Sequence, residues 1–226
     1  MPYVTNSKNQ AENLQKEKLN QRLELLEYLK TKGRILELYA GRGFLSQVYA
    51  NFATELILVD KREDYLQEAK QKIHGKVSYK IFCKDNRKFI REDLPCLGNI
   101  DFVDFDAFGS CAEQIKLFFD VYIVKKPLLV AVTDGLGLRW GWVCTNYESF
   151  EHYAKKYFLE KPKQKPGVRF MALKPVRVPR SFVKFFDELL MMQIAKRYKL
   201  KVKKINEFER PRGFPVYLGF LVTPEI

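Results

Sequence analysis

The chain alternates short apolar runs with segments in which apolar residues recur at helical spacing. The apolar runs at 35–39, 55–60, 77–82, 100–106, 127–133, 200–205 and 216–222 predict strands. The segments at 44–52, 61–73, 111–124 and 181–198 predict helices. Strands that alternate with helices at these lengths predict an α/β fold with a parallel sheet and right-handed crossovers. The last two strands predict a closing hairpin.

The first 32 residues form a separate segment that starts polar and becomes amphipathic. Leucines at 19, 23, 26 and 29 follow one another at spacings of four and three. This pattern predicts a helix with one apolar stripe, ended by Lys32 and Gly33. We expect this helical extension (1–32) to pack beside the first strand and to close over the ligand site of the main domain (33–226).

A glycine-rich turn follows the first predicted strand. The segment 34–46 runs from an apolar strand through Gly41 and Gly43 into a helical pattern, with Glu37 near the end of the strand. Such a turn lets the backbone approach a ligand closely and leaves unpaired helix N–H groups facing that ligand. The pattern indicates a ligand-binding turn, although glycine pairs also form ordinary turns.

Acidic residues stand at the ends of the first four predicted strands: Glu37, Asp60, Asp85 and Asp106. Ligands of an open α/β sheet bind outside the carboxyl ends of its strands, so we expect these carboxylates to converge along one edge. Asp60 lies at the position that accepts hydrogen bonds from a ribose diol in dinucleotide-binding folds.

The acid and glycines of the first turn, Glu37-x-x-x-Gly41-x-Gly43, resemble motif I of the class I S-adenosylmethionine (SAM) methyltransferases. The resemblance implies a Rossmann-like sheet of seven mostly parallel strands with a closing antiparallel strand. It also implies that SAM is the cofactor, and that Asp85 contacts the adenine amino group. The cofactor-binding residues predicted in this way are Glu37, Tyr39, Gly41, Gly43, Asp60, Lys61, Asp85, Asn86 and Asp104.

The fourth predicted strand leads into Asp106-Ala107-Phe108-Gly109. This segment resembles the Asp-Pro-Phe-Gly motif of the tRNA guanine N2-dimethyltransferases. The resemblance implies that Asp106 orients an exocyclic amine and that Phe108 stacks on the base. Ala107 departs from the proline of that family, so it keeps the backbone carbonyl but loses the fixed φ angle. A helix cap at Asp106 and a core position for Phe108 remain the alternative.

The charge of the chain is concentrated in its last third. The net charge is +13, and residues 155–226 hold 18 Lys and Arg against 6 Asp and Glu. A predicted insertion at 134–180 is basic and rich in proline, with Trp140 and Trp142 near its start. A localised basic surface favours a polyanionic partner, and we expect a nucleic acid, RNA rather than DNA, at the rim of the cofactor cleft.

Composition excludes several other classes of protein. The four cysteines match no paired spacing of metal ligands, which favours reduced, mostly packed thiols and no metal. No apolar run approaches the ~20 residues that cross a bilayer, and the polar amino terminus lacks a signal-peptide core, so we expect no membrane partner and a cytoplasmic protein. A thiolate nucleophile at Cys111 or Cys144 for carbon methylation is a weaker alternative.

The sequence therefore predicts a SAM-dependent methyltransferase that modifies nucleic acid at an exocyclic base amine, with tRNA as the expected substrate. Two alternatives remain open at this point. The chain could methylate a protein or a small molecule, or it could be a non-catalytic module that binds nucleic acid.

Overall fold

The structure of the protein is a computed structural model that describes residues 7–107, 111–134, 180–209 and 216–225. Its strands are β1 (Gly33–Leu38), β2 (Ala53–Asp60), β3 (Ser78–Cys83), β4 (Phe102–Asp106), β5 (Leu128–Asp134), β6 (Leu200–Glu209) and β7 (Val216–Pro224). Its helices are α1 (Ser7–Leu26), α2 (Ser46–Tyr49), α3 (Glu63–Ile73), α4 (Asn86–Glu92), α5 (Ala112–Val121) and α6 (Arg180–Tyr198), and Leu94–Cys96 form a short 3₁₀ turn.

The strands of the described ranges form one sheet in the order β3-β2-β1-β4-β5-β7-β6. Neighbours from β3 to β5 pair in parallel, whereas β7 runs antiparallel to both β5 and β6. The predicted fold class, a mostly parallel α/β sheet with a closing antiparallel strand, is confirmed. The strand order reverses between β1 and β4, so a crevice opens at the carboxyl ends of these two strands.

Side chains alternate between the two faces of the sheet along each strand. Both faces are buried, because helices cover each of them. On one face Leu36 and Leu38 pack with Phe89 of α4 and Phe118 of α5. On the other face Ile35 packs with residues of α1, α2 and α3, including Leu25 of α1. The apolar runs of the sequence thus appear as strands enclosed between two helical layers.

Helix α1 lies mainly over β5, β7 and β6, further along the sheet than the position beside β1 that the sequence suggests. A Cβ atom added to Gly219 of β7 would meet Leu25 Cδ2 at 2.5 Å and Asn206 Oδ1 at 2.2 Å. The glycine therefore permits α1 to approach the closing hairpin closely. Gln21 Nε2 donates to Asn206 Oδ1 at 2.8 Å and adds a polar contact to this interface.

The second helix is shorter than predicted. The sequence indicates a helix over 44–52, but α2 covers only Ser46–Tyr49. The amides of Val48, Asn51 and Phe52 donate to carbonyls three residues earlier, at 2.9 to 3.1 Å. This tighter hydrogen bonding is typical of 3₁₀ turns, which rarely persist beyond a few residues.

The prediction of packed thiols is confirmed only for Cys111, which is buried, whereas Cys83 and Cys96 are exposed and Cys144 lies outside the described residues. No group of metal ligands is found within the described ranges. None of the helices in these ranges is both long and apolar enough to cross a membrane.

Gly43 is expected to be the most sensitive glycine of the first turn. Its φ is +74°, and an added Cβ would lie 2.6 Å from the backbone Cα of Ala69 in α3. Gly43→Ala should lower the free energy of unfolding by about 2–4 kcal/mol, because overpacking and backbone strain act together. Urea denaturation measures this loss.

The matched control is Gly75→Ala. Gly75 has a φ of +73°, but no atom of the described residues lies within 4 Å of an added Cβ. This variant should lose only the contribution of backbone strain. Equal losses in the two variants would contradict a packing role for Gly43.

Candidate active site

The turn after β1 has an unusual backbone. Tyr39, Gly41 and Gly43 have φ values of 66°, 54° and 74°, all in the left-handed region. For an aromatic residue such as Tyr39 this conformation is strained and is most often found at functional sites. Among the described residues, a Cβ at Gly41 would meet only Tyr39 O, at 3.8 Å, so none of them crowds the backbone at Gly41.

Asp60 joins the ends of β1 and β2. Its Oδ2 accepts a hydrogen bond from the Gly41 amide at 3.0 Å, and its Oδ1 accepts one from the Arg62 amide at 2.9 Å. The structure therefore brings together the glycine turn and the acid that the sequence placed at neighbouring strand ends. Lys61, beside Asp60, is exposed.

The end of β3 contributes a charged and a neutral side chain. Asp85 caps α4 by accepting from the Arg87 amide at 3.0 Å. Burial opposes its charge, but hydrogen bonds from the side chain and backbone of Arg87 prevail and lower the pKa of Asp85. Asn86 is 7% exposed and hydrogen-bonds to the Tyr39 hydroxyl, while burial raises the pKa of Tyr39. The Asn86 Oδ1 atom is buried and has no partner among the described residues.

Asp104 is fully buried on β4 and does not face the cleft. Arg22 of α1, also fully buried, donates to both carboxylate oxygens of Asp104, at 3.1 and 2.6 Å, and the Tyr49 hydroxyl donates to Oδ2. Burial alone would lower the pKa of Arg22, but Asp104 and Tyr49 outweigh it and raise that pKa. The oxygens of Asp104 are enclosed and already bonded to Arg22 and Tyr49, so they present no open surface to the cofactor contact that the sequence predicts.

Glu37 is also closed off. It is 2% exposed, and its Oε2 accepts a hydrogen bond from the Ser46 hydroxyl at 2.5 Å. Burial raises the pKa of Glu37 well above its usual value, even though the Ser46 hydrogen bond opposes that shift. The carboxyl of Glu37 thus holds the start of α2 against β1, and it offers almost no surface for a direct contact with a ligand.

Asp106 lies one pleat beyond Asp104 and is partly exposed, with 14% of its side-chain surface open. Lys18 of α1 donates to its Oδ2, and the Thr133 hydroxyl of β5 also bonds to it. Burial opposes ionisation, but Lys18 and Arg22 outweigh it and lower the pKa of Asp106. Asp106 is therefore a carboxylate at neutral pH, which accepts hydrogen bonds and donates none. Phe108, the predicted stacking ring, lies outside the described residues, as does most of the basic insertion.

Sequence reasoning missed the basic residues that α1 supplies to this edge. Lys18 and Arg22 are four residues apart and therefore share one face of the helix. A signal was present, because Arg22 falls within the predicted stripe, three residues after Leu19 and four before Leu26. A basic residue within an apolar stripe indicates a buried acidic partner.

The described residues fit the adenosine part of SAM. No described residue crowds the backbone at Gly41, which therefore permits close approach, and Asn86 Oδ1, without a partner in the same part of the chain, provides an acceptor for an amino group. Asp60 stands between them at the end of β2, with both oxygens directed towards backbone amides of the turns. A carboxylate has about four lone-pair positions, so Asp60 can accept further hydrogen bonds from hydroxyl groups.

The raised pKa of Glu37 makes the stability of the protein dependent on pH. The unfolded carboxyl ionises above its ordinary pKa of 4.5, whereas the buried one resists ionisation. Stability is therefore full below that value and falls as pH rises towards the folded pKa. Glu37→Gln removes this titration. The melting temperature of the variant minus that of the parent should therefore become more positive from pH 5 to pH 8.

The control for this comparison is Glu27→Gln, which removes an exposed carboxyl at the end of α1. Its melting temperature should follow that of the parent at every pH. A constant offset between Glu37→Gln and the parent from pH 5 to pH 8 would contradict the raised pKa.

The sequence matches no protein-family model, and no curated protein matches it. Solved structures do share its fold. Trm1 from Pyrococcus horikoshii, solved with S-adenosyl-L-methionine, is 16% identical with a TM-score of 0.63, over 93% of this chain and 56% of that chain. TYW2 from the same organism, in complex with MeSAdo, is 17% identical with a TM-score of 0.55, over 92% and 63%.

The methyltransferase domain of bacterial CtHen1-C is 12% identical with a TM-score of 0.54, over 93% of this chain and 99% of that domain. The chain therefore spans about three fifths of the Trm1 and TYW2 chains and nearly all of the CtHen1-C domain. At these identities the likeness establishes the fold alone, which is the class I methyltransferase fold.

Proposed function

We propose that the protein is a SAM-dependent methyltransferase that modifies RNA, with tRNA the expected class, at an exocyclic base amine. The observation that carries the proposal is the arrangement at the carboxyl edge of the sheet. There the Gly41 amide donates to Asp60 Oδ2 at 3.0 Å, and an ionised, partly exposed Asp106 stands at the end of β4. A class I methyltransferase fold presents these groups on the same edge.

The cofactor half of the site comprises Gly41, Asp60, Asp85 and Asn86. Asp60 accepts hydrogen bonds from the ribose hydroxyls, and Asn86 Oδ1 accepts one from the adenine amino group, which would satisfy this buried atom. The backbone of the strained turn at Tyr39 and Gly43 shapes the wall beside the methionine part. Lys61 is exposed next to Asp60 and remains a predicted contact at the cofactor rim.

The substrate half of the site is centred on Asp106. Bound SAM would supply an electrophilic methyl group. Transfer would form a nitrogen–carbon bond as the sulfur–carbon bond breaks, and the proton lost by the amine would pass to water. Asp106 accepts a hydrogen bond from the amine and so directs the nitrogen lone pair towards the methyl group. Phe108 is two residues further on and is proposed to stack on the base, which must leave its own stack first.

The nucleic acid part of the proposal rests on charge and motif. Residues 155–226 carry 18 of the 40 Lys and Arg residues and only 6 of the 27 Asp and Glu residues. Phosphate contacts by such a region supply affinity that does not depend on sequence. The resemblance of residues 106–109 to an amine-methylating motif indicates the chemical group on the base. Ala107 leaves the backbone carbonyl in place for this role.

Cofactor binding is tested by isothermal titration with SAM. Asp60→Asn should raise the dissociation constant of SAM by roughly tenfold to hundredfold, since a hydrogen bond to a charged group contributes about 1.5–3 kcal/mol. Glu63→Gln, which removes an exposed carboxyl three residues later, should leave the affinity unchanged. Equal affinities for Asp60→Asn and the parent would remove Asp60 from the cofactor site.

Substrate class is tested by mass spectrometry of nucleosides after incubation of RNA and DNA with SAM and the protein. A base carrying a methyl on its exocyclic amine is the expected product, and Asp106→Asn should lower kcat by about 10²-fold or more with SAM affinity retained. Transfer to protein pools but not to nucleic acid would favour the protein-methylating alternative. SAM binding without any transfer would favour a non-catalytic module.

A further inference from the structure

Helix α1 meets β4 through two parallel ion pairs. Lys18 and Arg22 are four residues apart on one face of the helix, and Asp104 and Asp106 are two residues apart on one face of the strand. Arg22 bonds to Asp104, and Lys18 bonds to Asp106. The two pairs differ in burial, because neither side chain of the first pair is exposed, whereas those of the second are 22% and 14% exposed.

The buried pair prevents α1 from acting as a lid. Removing α1 from the sheet would leave Asp104 buried without its cation, which is strongly unfavourable. Arg22 also donates to Thr133 Oγ1 at 2.7 Å, and Leu25 packs closely against Gly219, so three strands hold the same turn of the helix. The backbone at Lys18, one turn earlier, is therefore fixed beside Asp106 while a substrate enters.

Thr133 connects the two pairs. Its hydroxyl accepts from Arg22 and has a single proton to donate, which goes to Asp106. With Lys18 on Oδ2 and Thr133 as a second donor, the carboxylate is held in one orientation. Its remaining lone pairs and its exposed surface are left for a substrate donor.

We propose that Lys18 is a positioning and specificity residue, which fixes Asp106 and makes the amine site selective for a neutral aromatic amine. This inference rests on the proposed function. An alkyl amine is protonated at neutral pH and would approach Asp106 beside the ammonium of Lys18, where like charges repel. An exocyclic amine on a nucleobase is neutral, and it can donate to Asp106 without that repulsion.

The test compares Lys18→Met with Lys18→Arg in steady-state methyl transfer by the full chain to its RNA substrate. Lys18→Met should lower kcat by about 10²-fold, through loss of orientation of Asp106, with SAM affinity unchanged. Lys18→Arg keeps the cation and should recover most of the rate. Lys16→Met, which alters an exposed residue two positions earlier on α1, is the control and should equal the parent. Lys18→Gln replaces Lys18→Met if the latter does not fold.

The pH profile separates positioning from a merely structural role. The groups that face Asp106 are Lys18 and Arg22 of α1, Thr133 of β5 and Glu37 of β1. Lys18→Met removes one cation beside Asp106 and leaves the other facing groups unchanged, so the pKa of Asp106 should rise. The acid limb of the pH profile of kcat should therefore move to higher pH in Lys18→Met, and in Lys18→Arg it should return to the position of the parent. An equal or faster rate for Lys18→Met, or an unmoved acid limb, would overturn the inference.

A substrate comparison tests selectivity directly. The parent should methylate the nucleoside amine and leave a lysine peptide unmodified, whereas Lys18→Met should lose part of this preference. An unchanged ratio of the two rates in Lys18→Met would overturn the specificity role.

Failure of the proposed function can be distinguished from failure of this inference. If the parent transfers no methyl to RNA, the proposed function fails. The pKa of Asp106 can then be measured by NMR in protein with ¹³C-labelled aspartate, with the Asp106 signal assigned from Asp106→Asn. This measurement tests the effect of Lys18 on Asp106 without any methyl transfer. A higher pKa of Asp106 in Lys18→Met would support the positioning role, and an unchanged one would overturn it.

Discussion

The buried ion pair between Arg22 and Asp104 is the contact on which the candidate site depends. Neither side chain is exposed, and Tyr49 and Thr133 complete their hydrogen bonds. Burial of two charges is favourable only when their geometry and remaining hydrogen bonds are satisfied, as they are here. The pair joins α1, α2, β4 and β5 at one point, and it therefore fixes α1 beside the end of β4, where Lys18 bonds to Asp106.

The acids of the carboxyl edge divide into two kinds. Glu37 and Asp104 occupy partner positions on β1 and β4 and are enclosed, so they hold helices in place. Asp60, Asp85 and Asp106 follow at the strand ends, where each keeps some exposed surface. The enclosed acids of this edge thus stabilise the fold, whereas the partly exposed acids at the strand ends are able to contact ligands.

Most of the fold could be predicted from the sequence, because strands and helices are recognised from the spacing of apolar residues over a short stretch of chain. The glycine turn is likewise recognised from a few neighbouring residues. Each strand appears within a few residues of its predicted range, and Asp60 meets Gly41 as the strand-end rule requires. The predictions failed where a polar side chain is buried by a partner far along the chain.

Helix α1 shows the reason for that failure. Leucines at 19, 23, 26 and 29 predicted its inner face, yet Leu25 and Arg22 are fully buried while Leu19 and Leu23 are only partly so. Hydrophobic periodicity cannot show that Asp104, 82 residues later, neutralises Arg22. Long-range pairing also encloses Asp104 with Arg22 and brings Lys18 to Asp106, and neither contact is visible in the local pattern of the sequence.

The position of α1 over β5, β7 and β6 has a consequence for how the chain acquires its structure. This helix is synthesised before every strand of the described sheet, whereas two of the strands that it covers, β6 and β7, follow the other five along the chain. Contacts between distant parts of a chain form slowly, and partly folded chains expose apolar surface that aggregates. Until the closing hairpin is complete, Leu25 lacks its close contact with Gly219 and Gln21 lacks its bond to Asn206, so the docking of α1 is completed late in folding.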